Sequence, residues 1–204
     1  MEEELRGFYT PDKIDRLCSL LVKGRIAVLP TDTIYGLHCI STDKDAVRTV
    51  RRMKGRADQA GFILIAADIS MVDDLVSEWP PRIRELLSEI WPAGLTAILP
   101  ADLSLHEELR PRGKVAVRVP GLGILREITA GIGAPMISTS ANRSGQPPMT
   151  AISAIRKEFP GLAAYISRSG RPASKASTVV DFSVYPFRIV REGAFDISQY
   201  KEKR

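Results

Sequence analysis

A chain of 204 residues that is 44% hydrophobic carries enough apolar side chains for one sizeable domain, and no apolar run approaches the ~20 residues that span a bilayer. Its net charge of +5 favours anionic partners such as nucleotides or RNA without choosing between them. With only two cysteines, Cys18 and Cys39, and two distant histidines, His38 and His106, neither a disulfide framework, a zinc site nor a histidine base is expected. The acidic opening MEEELRGF is the reverse of a secretory signal's basic start, so a cytoplasmic protein with no membrane partner is expected.

In chain order, TPDKIDRLCSLLVKG predicts a helix, with Thr10 as N-cap, Pro11 at the first helical position, Asp12 and Asp15 early, and Gly24 beyond the end. Ile14, Leu17, Cys18 and Leu21 recur at helical spacing and define its inward face. RIAVL reads as a buried strand ended by Pro30, which cannot donate to a ladder. DKDAVRTVRRM places Ala46, Val47, Val50 and Met53 on one helical face, and KGR emerges at its C-terminal end, where cations suit the dipole. Between Arg48 and Arg56 five cations and no acid predict a local positive patch. FILIA reads as a strand, and SMVDDLVSEW and PRIRELLSEIW as two helices divided by Pro80 and Pro81. LTAIL, VAVRV, PMIST, AAYIS, STVVDF and FRIVR supply further strands; LREIT, TAISAIRKEF and DISQY supply further helices. This order predicts an α/β, partly α+β-like, three-layer domain over residues 1–204: a mixed sheet of about seven strands with helices on both faces.

Polar groups interrupt or follow the apolar strands at a few places: PTDT at 30–33, KGR at 54–56, Arg118 in VAVRVP, STSAN at 138–142, Ser177 in AST and Arg191 in VRE. Each alone is explained by a turn, a cap or a solvated sheet face. Together, small hydroxyls, an amide and backbone N–H groups flanked by Lys and Arg are what a phosphate or carboxylate site requires. STSANRSG has the composition of such a nest, with Gly145 free to adopt a positive φ. Neither GxxxxGK[ST] nor GxGxxG occurs, so the pocket is not of the Walker or Rossmann type.

PTDTIYGL, the K-x-R of KGR, WPAGLTAIL, VAVRVP, STSANRSG, STVVDF and VREGA resemble, in order, the motifs of the YrdC/TsaC family of L-threonylcarbamoyladenylate synthases, in its short single-domain type. The resemblance runs from about Gly24 to Ala194 and implies a twisted mixed sheet with a basic cavity, and no additional C-terminal domain. It implies a reaction of L-threonine, bicarbonate and ATP to threonylcarbamoyl-AMP and pyrophosphate, for threonylcarbamoyl modification of adenosine 37 in ANN-decoding tRNAs. It further implies that Thr31, Thr33, Tyr35, Arg118, Ser138 and Ser177 surround threonine, while Lys54, Arg56, Ser140, Asn142 and Arg191 surround ATP. Lys54, Arg56 and Ser140 are the groups it implies for catalysis, with Mg2+ held mainly by phosphates and no protein metal ligand.

A carbamate oxygen attacking the α-phosphorus brings two anions together, so positioning and charge neutralisation suffice without a protein nucleophile. Ala60 and Ile65 stand where many relatives carry Asn and His, and the proline that often follows K-x-R is missing. A non-catalytic RNA-binding or ribosome-maturation module using the same basic cavity is the competing reading, and carbamoyl chemistry on another substrate a third. The implied partners beyond the substrates are tRNA or RNA and the downstream threonylcarbamoyl-transfer proteins.

Overall fold

The computed structural model describes residues 5–55, 61–167 and 175–200. Its elements in chain order are β1 (Leu5–Gly7), α1 (Pro11–Val22), β2 (Ala27–Leu29), β3 (Gly36–Ile40), α2 (Lys44–Lys54), β4 (Ile63–Ile65), α3 (Ile69–Asp73), α4 (Ile83–Ile90), β5 (Leu95–Pro100), β6 (Lys114–Arg118), α5 (Gly123–Ile132), β7 (Met136–Ser140), α6 (Ile152–Glu158), β8 (Ala164–Ile166), β9 (Thr178–Asp181) and β10 (Arg188–Arg191). All ten strands join one mixed sheet in the order β1-β8-β2-β3-β7-β4-β6-β5-β9-β10, three more than the expected seven or so. The additional members include β1, a three-residue edge strand, and β3, whose GLHCI run pairs antiparallel with β2 and β7. Neither has the bounded apolar run that marks a strand locally; their ladders come from partners distant in sequence.

Alternation along the strands divides the core in two. Leu37 and Cys39 of β3 pack with Val47 and Val50 of α2, Leu87 of α4 and Ile155 of α6. Ile40 on the opposite side packs with Leu17 and Leu21 of α1 and Leu125 and Ile128 of α5. Helices therefore cover both faces, as expected. α2 is capped as its sequence demands: Asp43 Oδ1 accepts from the Asp45 and Ala46 N–H groups, both at 2.9 Å, and Gly55 closes the other end at φ 59°. At α1, Thr10 has the extended N-cap backbone and Pro11 begins the helix, but the Thr10 side chain makes no cap bond.

Three expectations are corrected. The helix expected over residues 70–79 stops at Asp73, because Leu75 and Val76 are drawn to the end of β5: Val76 bridges Ala101, and the Leu75 carbonyl accepts from Asp102 N. DISQY forms only a 3-10 turn at Ser198–Tyr200. The cationic run is only in part an open positive patch: Arg48 and Arg51 share Glu108, Arg51 also stacks over the Phe62 ring, and Arg51 and Lys54 are buried, whereas Arg48 and Arg52 are exposed and Arg56 lies outside the described residues. Glu108 lies far along the chain, so the neutralisation is invisible locally.

Candidate active site

A cavity of about 190 Å³ opens on the face of the sheet that α1 and α5 partly cover. Register places Gly36 opposite Ser140, Ile63 opposite Ser138, and Ile65 between Met136 and Arg118, so these residues share that face. Thr31, Thr33, Tyr35, Arg118, Ser138, Ser140, Ser177 and Arg191 all line it. Lys54 and Asn142 stand just behind Ser140 rather than on the wall, and Arg56, like Ala60, lies outside the described residues.

The turn after β2 owes its shape to hydroxyls. Thr31 Oγ1 donates to the Ile34 carbonyl at 2.7 Å and accepts the Thr33 N–H at 3.0 Å, while the two threonine hydroxyls meet at 2.9 Å. The turn-capping and pocket-lining roles thus coexist. Gly36, the next wall residue, has no room for a side chain: a Cβ there would lie 2.6 Å from His38 Nε2 and 3.1 Å from the Thr139 carbonyl.

Arg118, at the end of β6, is 4% exposed. Its Nε donates to the Ala93 carbonyl at 3.2 Å and one terminal nitrogen to Thr33 Oγ1 at 3.1 Å, while the other meets Asp32 Oδ1. Asp32 Oδ2 also accepts from Gly121 N at 2.9 Å. A guanidinium has five N–H donors, so three of these contacts fix its plane and two hydrogens remain for a ligand in the cavity. Burial lowers its pKa, with Asp32 opposing, yet a guanidinium remains charged at any physiological pH.

Arg191 reaches the opposite wall through a β-bulge. β10 pairs Ile189 with Val180 and then Arg191 with Val179, leaving half-exposed Val190 as the extra residue. Without it, alternation would turn Arg191 to the other face. Arg191 Nε and Nη2 grip the Ser177 carbonyl at 3.1 and 2.9 Å, and Nη2 also reaches Ser177 Oγ at 3.2 Å. Burial, then repulsion from Arg118, lowers the Arg191 pKa, so two cations face one space. Gly193 is required beside them, since a Cβ would sit 2.3 Å from the Ala176 carbonyl.

Lys54, at the end of α2, is 3% exposed and points to the STSAN loop. Its ammonium meets the Ser140 carbonyl at 2.6 Å, Ser140 Oγ at 3.3 Å, Asn142 Oδ1 at 2.8 Å and the Asn142 carbonyl. Three N–H hydrogens therefore face four protein oxygens, which sets the loop's path. Gly145 adopts φ 81°, as a nest requires.

Sequence reasoning missed several participants. Asp32 has no signal of its own within PTDT, although Arg118 pairs with it. Thr96, fully buried on β5, shares a 2.9 Å hydroxyl bond with Ser177, a partner 81 residues away. His38 is fully buried near Gly36 with no well-formed hydrogen bond to its ring nitrogens among the described residues; burial outweighs the nearby Ile137 and Leu29 backbone and pushes its pKa down to about 3, keeping it neutral. A lone polar residue inside the apolar run GLHCI was the available signal. Among the described residues no cluster of three or more His, Cys, Asp or Glu could hold a metal, and no helix is long and apolar enough to cross a membrane.

Residues 19–193 match the Sua5/YciO/YrdC family model, which bears the description "Telomere recombination". The chain belongs to the Sua5/YciO/YrdC family. A threonylcarbamoyl-AMP synthase of Chromobacterium violaceum is 33% identical over 159 residues, 78% of this chain and 82% of that protein. Among solved structures of the family, P. abyssi Sua5 complexed with L-threonine superposes with a TM-score of 0.88 at 26% identity, covering 98% of this chain and 59% of that one. This chain thus spans about three-fifths of the archaeal protein. E. coli YciO matches with a TM-score of 0.84 at 25% identity over 97% of this chain and 98% of its own. The mixed α/β fold expected from the motifs is therefore the Sua5/YciO/YrdC fold, and the related synthases are enzymes that form threonylcarbamoyl-AMP.

Proposed function

We propose that this chain, as one domain, makes L-threonylcarbamoyl-AMP and pyrophosphate from L-threonine, bicarbonate and ATP. The observation that carries the reading is the Arg118 guanidinium, fixed in plane by Asp32, Thr33 and Ala93 and left with two N–H groups beside a ring of hydroxyls. That is a carboxylate receptor with polar partners for an amine and a hydroxyl. In this reading Thr31, Thr33, Tyr35, Ser138 and Ser177 form the amino-acid side and Ser140 and Arg191 the nucleotide side, with Asn142 supporting the latter from behind Ser140.

Lys54 contributes by holding Ser140 and Asn142 and by placing positive charge behind the loop that receives the phosphates. Arg56 completes the pyrophosphate's neutralisation in this reading. Magnesium enters with ATP, bound to phosphate oxygens and water, consistent with a cavity lined by cations and hydroxyls. The product serves threonylcarbamoyl transfer to adenosine 37 of ANN-decoding tRNAs by downstream proteins. A cytoplasmic location follows from those substrates.

The test is pyrophosphate release by the purified protein with ATP, magnesium and bicarbonate, comparing L-threonine, L-serine, L-valine and no amino acid. Threonine-dependent release with the mass of threonylcarbamoyl-AMP is expected. Absence of release with every amino acid, from folded protein, would overturn the reading.

A further inference from the structure

A hydroxyl carries one hydrogen and two lone pairs, so a chain of hydroxyls ending on a carbonyl has a fixed direction. Thr31 Oγ1 gives its hydrogen to the Ile34 carbonyl, which can only accept. In the 2.9 Å contact between the two threonines, the hydrogen must therefore come from Thr33. Thr33 Oγ1 in turn accepts from Arg118, which can only donate. One lone pair of Thr33 is left, and Thr33 lines the cavity.

We propose that Thr31 is a positioning residue that locks the Thr33 hydroxyl as an acceptor, so that this corner of the cavity selects a ligand group carrying hydrogen. This deepens, and rests on, the reading of the cavity as the L-threonine site. With the ligand's carboxylate on the two remaining Arg118 N–H groups, its α-amine falls beside Thr33. An amine N–H donated to Thr33 leaves the nitrogen's own lone pair directed away from the turn, toward the space where bicarbonate carbon must arrive. A Thr33 hydroxyl free to rotate could instead donate to that lone pair and mask it. The run of three donors, Arg118, Thr33 and Thr31, ending on the Ile34 carbonyl prevents this.

The polarity is tested by calorimetric binding of three ligands of nearly equal size: L-threonine, 2,3-dihydroxybutanoate, which keeps a hydrogen at the α-substituent, and 2-fluoro-3-hydroxybutanoate, which has none. The wild-type protein should bind the dihydroxy acid about tenfold more weakly than threonine and the fluoro acid at least a further tenfold more weakly. In Thr31→Val the Thr33 hydrogen is released, and the gap between dihydroxy and fluoro acids should shrink to about twofold. Thr31→Ser keeps the hydroxyl and should restore the gap.

Equal binding of the two analogues by the wild type would overturn the proposal, a measurement that needs no variant to fold. So would a full gap in Thr31→Val, or loss of the gap in Thr31→Ser. If the wild type binds no L-threonine, the functional reading fails and the proposal with it; threonine binding without discrimination sinks the proposal alone.

Discussion

Two buried cations flank the cavity, and they are used differently. Arg118, on the amino-acid side, is held in plane by three protein contacts and keeps two N–H groups for a ligand. Lys54, on the proposed nucleotide side, meets four oxygens of Ser140 and Asn142 and faces the STSAN loop rather than the cavity wall. A planar fork can be anchored and still receive a carboxylate, whereas an ammonium point charge surrounded by carbonyls organises backbone. The contrast is between a cation that keeps N–H groups for the proposed substrate and one that shapes the loop beside the cavity.

Arg118→Ala would break this contrast most severely. It removes the proposed carboxylate receptor and leaves partly buried Asp32 without its cation, so a loss of about 2 kcal/mol in urea-unfolding stability is expected together with loss of threonine binding by calorimetry. Arg118→Lys keeps a charge but not the fork, and the threonine KM should rise about 100-fold while folding largely survives.

Lys54→Met comes next. If Lys54 only contacted phosphate, stability would be unaffected; because it gathers the Ser140 and Asn142 oxygens, a loss of about 2 kcal/mol is expected alongside slower pyrophosphate release. Unchanged stability with lost activity would assign it to the phosphates directly.

At neutral pH the smallest effect is at His38, which is not on the cavity wall and sharpens the comparison by showing what a buried base without a charge partner costs as the solution becomes acidic. Its folded pKa of about 3 lies below the ordinary value near 6.5, so the unfolded chain binds the extra proton between those limits. Stability is complete above about pH 6.5 and falls as the pH drops toward 3, by up to about 1.4 kcal/mol per pH unit from this group. Urea unfolding across pH 4–7 should show His38→Leu with a flatter profile than the wild type.

The particular residues show what was legible. Thr33, Arg118, Ser138, Ser140, Ser177 and Arg191 could be singled out because each is polar at the edge of an apolar run, and the fold brings all of them to one cavity. The pairing of Arg118 with Asp32, and of Thr96 with Ser177, spans 86 and 81 residues, so no local pattern announces it. The partial pairing of the positive run at 48–56 is hidden for the same reason: Glu108 arrives from a distant 3-10 turn.

What the chain's order of residues determined by itself was the set of elements with strong local signals and the chemistry of the site. Helix periodicity in α1 and α2, strand runs such as LTAIL and VAVRV, and the choice of hydroxyls and cations at strand ends are properties of neighbouring residues. Tertiary structure alone decided the ten-strand order, the truncation of α3, the bulge that turns Arg191 inward, and the arrival of Arg118 as the donor that takes one lone pair of Thr33. Those depend on which distant groups meet, and hydrogen-bond polarity is set only once every donor has found its acceptor.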